Sequence, residues 1–263
     1  MDDFSIRSAR AKLKRAETLL GELQDLRDNY IDTFVATVRI EERQILRGGS
    51  EGTVCLARDV PELGEEAGLV AGDAMHNVRS ALDHVACACV LVNGEPVTDK
   101  NAFPIRDKRP GCAFDDLPAV QGMSDNHIRA IERVQPYIDP SSTDSRKLVR
   151  LAALDNADKH RIDIPTWPTC VGVVEGEKIV TSRPLDKAKG EHVIYSVSKG
   201  GDLRRFPETA EIHPPAKCHA WVPLEYDLAF GHAEVHMAEL REIRAYVVGI
   251  VESFGPILDR PVP

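Results

Sequence analysis

Between about residues 65 and 92 one periodicity constrains the chain more than any other. Met75, Val78, Leu82, Val85, Ala86 and Cys89 recur at three- and four-residue spacing, which places them on one face of a helix. The opposite side carries Asp73, His76, Asn77, Ser80, Asp83, His84 and Cys87, with almost no Lys or Glu. A solvated face usually carries long charged side chains, whereas Asn, Ser, Asp and His are short groups suited to fixed hydrogen bonds. Arg79 and Asp83 stand four apart and can pair, as can Ser80 and His84. Asn93-Gly94 supplies the stop. The stripe reads either as a solvated face with one ion pair and two idle histidines or as a functional surface.

A second anomaly lies before residue 160. Leu148, Val149, Leu151 and Ala152 define a buried helix side, yet the same side continues through Asp155, Asp158 and Lys159. Buried unpaired charge costs several kcal/mol, so these groups belong either to a satisfied network or to a cleft at the helix end. From Arg146 to Arg161 there are five basic residues (Arg146, Lys147, Arg150, Lys159, Arg161) against two acidic, a local excess of cations that suits an anion site or a salt-bridged helix terminus.

Around these two helices the chain reads as one α+β domain over 1–263. Further helices are expected at about 5–28, 125–134 and 228–254, with those already named at 65–92 and 144–159. The stretches 33–57 and 166–224 are β-rich, as in Phe34-Val35-Ala36-Thr37-Val38 and Cys170-Val171-Gly172-Val173-Val174. The expected fold class is a helical bundle flanked by a mostly antiparallel β-sheet.

Composition excludes several classes. The 263 residues carry 33 Lys and Arg against 42 Asp and Glu, a net charge of −9 that argues against a general nucleic-acid coat protein but permits a small basic site. Uncharged stretches such as Val85–Asn93 fall far short of a membrane span, and Met1-Asp2-Asp3 lacks a signal peptide's basic start, so a cytoplasmic location is expected. Six cysteines without a C-x-x-C pair give no thiolate zinc site and read as reduced thiols, Cys87 and Cys89 as plain helix residues. No phosphate loop, nucleophile elbow or dinucleotide fingerprint occurs, and no cofactor is expected.

Asn77-Val78-Arg79-Ser80-Ala81-Leu82-Asp83-His84, Phe103-Pro104-Ile105, Val134-Gln135-Pro136-Tyr137 and Leu154-Asp155-Asn156-Ala157-Asp158-Lys159-His160-Arg161 resemble, block for block, a group of uncharacterised bacterial and phage proteins. The resemblance covers residues 70–165 and carries no activity. Arg79 and His84, with four residues between, also resemble the Arg-x4–6-His signature of HEPN domains, helical modules of many toxin and antiviral ribonucleases.

That second resemblance implies a HEPN-like bundle, a homodimer and metal-independent cleavage of RNA. In such a site His84 acts as acid or base, Arg79 holds phosphate, Asp83 orients one of them, and His160 (or His84 of a second copy) is the other acid-base group. Asn77, Ser80, Asn156, Lys159 and Arg161 then contact the substrate.

Three alternatives stay open. His232 and His236, with Glu239 one turn on, have a two-ligand metal spacing, though without the Glu of a zinc protease. A metal variant built from Asp83, His84, Asp158 and His160 is another. The third is a non-enzymatic binding or interaction protein in which Arg79, Asp83, His84, Asp155 and Lys159 form a structural network between helices.

Overall fold

A computed structural model describes residues 4–37, 39–47, 50–58, 64–160, 166–174, 177–181, 183–186, 191–198, 224–230 and 235–258. Side chains are described for 4–33, 64–157, 230, 235–256 and 258. Among the described residues five α-helices and eight strands follow in the order α1 (Ile6–Thr37), β1 (Arg39–Arg47), β2 (Ser50–Arg58), α2 (Glu66–Val92), α3 (Asp125–Arg133), α4 (Thr143–His160), β3 (Thr166–Val174), β4 (Glu177–Thr181), β5 (Arg183–Asp186), β6 (Glu191–Ser198), β7 (Leu224–Phe230), β8 (Val235–His236) and α5 (Met237–Leu258), with two 3-10 turns, Phe114–Asp116 and Pro118–Val120, between α2 and α3.

The chain divides into two compact units. The first comprises Met1–Leu23, Gly68–Pro165 and Phe230–Pro263, and the second Gln24–Ala67 and Thr166–Ala229.

The first unit is helical. Ile6, Ala9, Leu13, Ala16, Leu19, Leu20 and Leu23 of α1 are buried at helical spacing, as are Leu148, Leu151 and Leu154 of α4 and Leu240, Ile243, Val247, Ile250 and Phe254 of α5. On α2 all six residues of the expected apolar face are fully buried. Each large side chain so buried contributes roughly 1.5–3 kcal/mol of transfer free energy, which fixes the rotation of α2 and therefore the direction of its polar stripe. Ion pairs fasten α1 to α5: Arg10 grips Glu252 at 2.9 and 2.6 Å, and Arg244 reaches Glu17 at 2.9 Å.

Helix ends follow from local chemistry. Ser5 and Ser8 cap α1 reciprocally, each backbone N–H donating to the other's hydroxyl at 2.9 and 3.2 Å. Gly94, at φ +80°, ends α2 in the left-handed region that a glycine adopts without strain.

In the second unit β1 and β2 pair antiparallel with Arg47 opposite Ser50. The sheet continues through β6 to β5 in the order β1-β2-β6-β5. β3 and β4 form another antiparallel pair, with Val174 opposite Glu177.

The expected fold class needs correction. Of the residues placed with their side chains, 72% are helical, with one short strand pair and no sheet. A bundle flanked by a sheet does not describe them, because segments 39–58 and 166–229 belong to the second compact unit. Alternating side chains identify a strand but carry no information about which layer it joins.

Two element bounds also differ, for local reasons. α1 continues to Thr37, nine residues past the expected end at Asp28 and through the onset of the expected strand. Residues 24–37 contain no Gly or Pro, and the β-branched residues there cost only tenths of a kcal/mol each against an already nucleated helix. α5 begins at Met237 rather than at 228, and Leu224–Phe230 is strand.

Candidate functional site

The polar stripe of α2 makes three separate attachments. The first joins it to the loop that follows. Arg79 Nη1 pairs with Asp83 Oδ1 at 2.9 Å across one helical turn. Both residues then grip the backbone of one residue from its two sides: Arg79 Nη2 donates to the Phe103 carbonyl at 2.7 Å, and the Phe103 N–H donates to Asp83 Oδ1 at 2.8 Å. Phe103 itself is fully buried. The pair thus holds a loop backbone that has no secondary-structure partner, and the Arg79 side chain is left 15% exposed.

The second attachment reaches α1. His84 Nδ1 lies 2.9 Å from Ser8 Oγ, and Phe4 meets the imidazole edge-on at a centroid distance of 5.0 Å. The Ser8 hydroxyl donates its single proton to the Ser5 carbonyl at 2.8 Å, so His84 is the donor and its neutral ring carries the lone pair on Nε2. Nε2 makes no hydrogen bond among the described residues, and the residue is half-buried. Burial first, and then the Lys12 ammonium, lower the His84 pKa against the opposing pull of Asp83.

The third attachment reaches α4. His76 Nδ1 lies 3.0 Å from Asp155 Oδ1, with the carboxylate buried and the imidazole nearly half exposed. Asp155 was the charged residue on the apolar side of its helix, and the network resolves that anomaly. His76, idle in the solvated reading of the stripe, stands beside Asp155. Ser8 and Phe4 carry no mark in the sequence as partners, although Ser5 and Ser8 stand at capping-box spacing.

The remaining expected site residues are less gathered. Asn77 donates to the Asp73 carbonyl of its own helix at 2.8 Å. Ser80 is half-buried without a side-chain hydrogen bond among the described residues, and Asn156 is exposed. The side chains of Asp158, Lys159 and His160, and the whole of Arg161, lie outside the described residues, and with them the expected meeting of His84 and His160. Of the other cations in that run, Lys147 pairs with Asp144 at 3.0 Å and Arg150 with Glu239. Glu239 is therefore engaged with Arg150, and His232 lies outside the described residues.

Among the described residues no three His, Cys, Asp or Glu side chains group as metal ligands. Burial pushes the thiols of Cys87 and Cys89 up to about 11 and 12, so neither offers a thiolate at neutral pH.

The remaining sequence blocks have similar local uses. Gln135, almost fully buried, accepts from the Arg106 N–H at 3.0 Å and donates to the Ile131 carbonyl at 3.1 Å, while the Tyr137 N–H donates to the Arg106 carbonyl at 3.2 Å. The Phe-Pro-Ile and Gln-Pro-Tyr segments are thereby tied together. No protein-family model, curated protein or solved structure matches the chain.

Proposed function

We propose that this chain is a non-enzymatic binding or interaction protein in which the polar stripe of α2 is an internal fastening. One observation carries the reading: Arg79 and Asp83 end together on the Phe103 backbone, His84 on Ser8 and His76 on Asp155, all of them groups of the protein itself. A phosphate-holding arginine needs its guanidinium fork open toward the ligand, and both Nη groups of Arg79 face groups of the protein instead. Cys87, Cys89 and Cys112 are free thiols, which supports a reducing, cytoplasmic setting. No helix among the described residues is long and apolar enough to cross a membrane.

A homodimeric, metal-independent ribonuclease is the second reading. It is favoured by the half-buried His84 ring, whose Nδ1 donates to Ser8 and whose Nε2 is left unprotonated and without a hydrogen bond among the described residues, as a general base requires. Incubating wild type and His84→Ala with mixed RNA in EDTA separates the two. The binding reading expects no cleavage by either protein. Cleavage by wild type that His84→Ala abolishes overturns it in favour of the nuclease.

A further inference from the structure

An open cavity of about 480 Å³ lies away from the α2 stripe, between the loop after Arg109 and α3. Phe114 and Tyr137 line it as a tilted aromatic pair, centroids 6.5 Å apart, beside Ile128. Its volume falls within the range of small-molecule sites, roughly 300–1,000 Å³.

Its charges are the informative part. Arg109 and Asp115 both line the cavity, yet neither forms an ion pair among the described residues, with each other or with anything else. Two opposite charges at the ends of one short loop thus face a shared space while held apart. The other charged groups there are engaged: Tyr137 donates to Glu132 at 2.7 Å, and Arg129 stands 3.8 Å from Asp125.

A polyanion such as RNA meets three carboxylates here against two guanidinium groups, and a simple cation meets Arg109. A ligand with one charge of each sign and an apolar body answers the whole lining. Its carboxylate matches Arg109, its ammonium matches Asp115, and its body lies against the aromatic pair.

We propose that this cavity binds a small zwitterion with an aromatic or large apolar body, with the chemistry of a free amino acid or a dipeptide. The inference deepens the binding reading and rests on it. Calorimetric titration of the full chain uses four probes that share a phenyl ring: L-phenylalanine, glycyl-L-phenylalanine, 3-phenylpropionate and phenethylamine.

The expected result is that at least one of the two zwitterions binds about tenfold or more tightly than either singly charged analogue, the size expected of one charge-assisted hydrogen bond. Which zwitterion binds better distinguishes a free amino acid from a peptide. Arg109→Ala and Asp115→Asn, both exposed positions, each remove that advantage. Absence of binding by both zwitterions, equal binding of all four probes, or affinity that survives both substitutions overturns the proposal. Such a failure leaves the RNA cleavage result untouched, so the two readings fail separately.

Discussion

Two pairs of opposite charge, Arg79 with Asp83 and Arg109 with Asp115, meet opposite fates in one helical unit. The first pair sits four residues apart on a helix, closes to 2.9 Å and turns its remaining capacity onto the Phe103 peptide. The second runs from a loop at Arg109 into the single 3-10 turn Phe114–Asp116, stays unpaired among the described residues and faces a cavity. A helix fixes the separation of its side chains and so pairs charges automatically, whereas a loop can hold them apart. The charges most conspicuous in the sequence are therefore the ones committed to structure.

The largest expected effect tests that commitment. In Asp83→Ala the Phe103 N–H loses its acceptor and Arg79 its counter-ion, both in a half-buried setting. The loss should be about 3 kcal/mol, a fall of roughly 6–12 °C in melting temperature for a chain of this size. Thermal unfolding followed by circular dichroism measures it. A loss below about 0.5 kcal/mol, the range of an ordinary surface position, would place Asp83 beside Asp115 and dissolve the contrast.

A smaller effect comes from pH and sharpens the same point. The pKa values of His84 and His127 both lie below the ordinary 6.5, in each case through burial first. As pH falls below 6.5 the unfolded chain takes up these protons before the folded one does. Stability should therefore be full above pH 6.5 and decline as pH falls through the folded-state values. His84→Gln should flatten part of that slope, and a melting temperature as pH-dependent as wild type between pH 7 and 5 would remove His84 from the fastening.

Legibility in the sequence followed the same division. The apolar face of α2 was readable residue by residue, because helical period and burial express one geometry. Asp155 was recognisable as an anomaly, but its partner His76 lies 79 positions away in sequence, a distance that no local pattern spans. The Arg79-x4-His84 spacing looked like one catalytic unit, yet the two side chains leave α2 for different segments, Phe103 and Ser8. Residues 109–115 carry Pro110 and Gly111, which mark a turn and no site, because a cavity is made by the approach of α3 and Tyr137, and neither is encoded in that segment. The placement of the strands was unreadable for a similar reason: alternation fixes a face and leaves the choice of layer to the rest of the chain.

The smallest expected effect is also the one most specific to the contrast. Arg109 and Asp115 are exposed, lack ion pairs among the described residues and lie in a segment whose backbone is held by other groups, such as Gln121, which donates to the Asp115 carbonyl at 2.6 Å. Arg109→Ala and Asp115→Asn should each change stability by no more than about 0.5 kcal/mol. Side chains that contribute nothing to folding and yet set the affinity for a zwitterion would be retained for binding alone. If Arg109→Ala instead destabilises the protein by as much as Asp83→Ala, the loop pair is a second structural clamp, and the difference between helix and loop charges disappears.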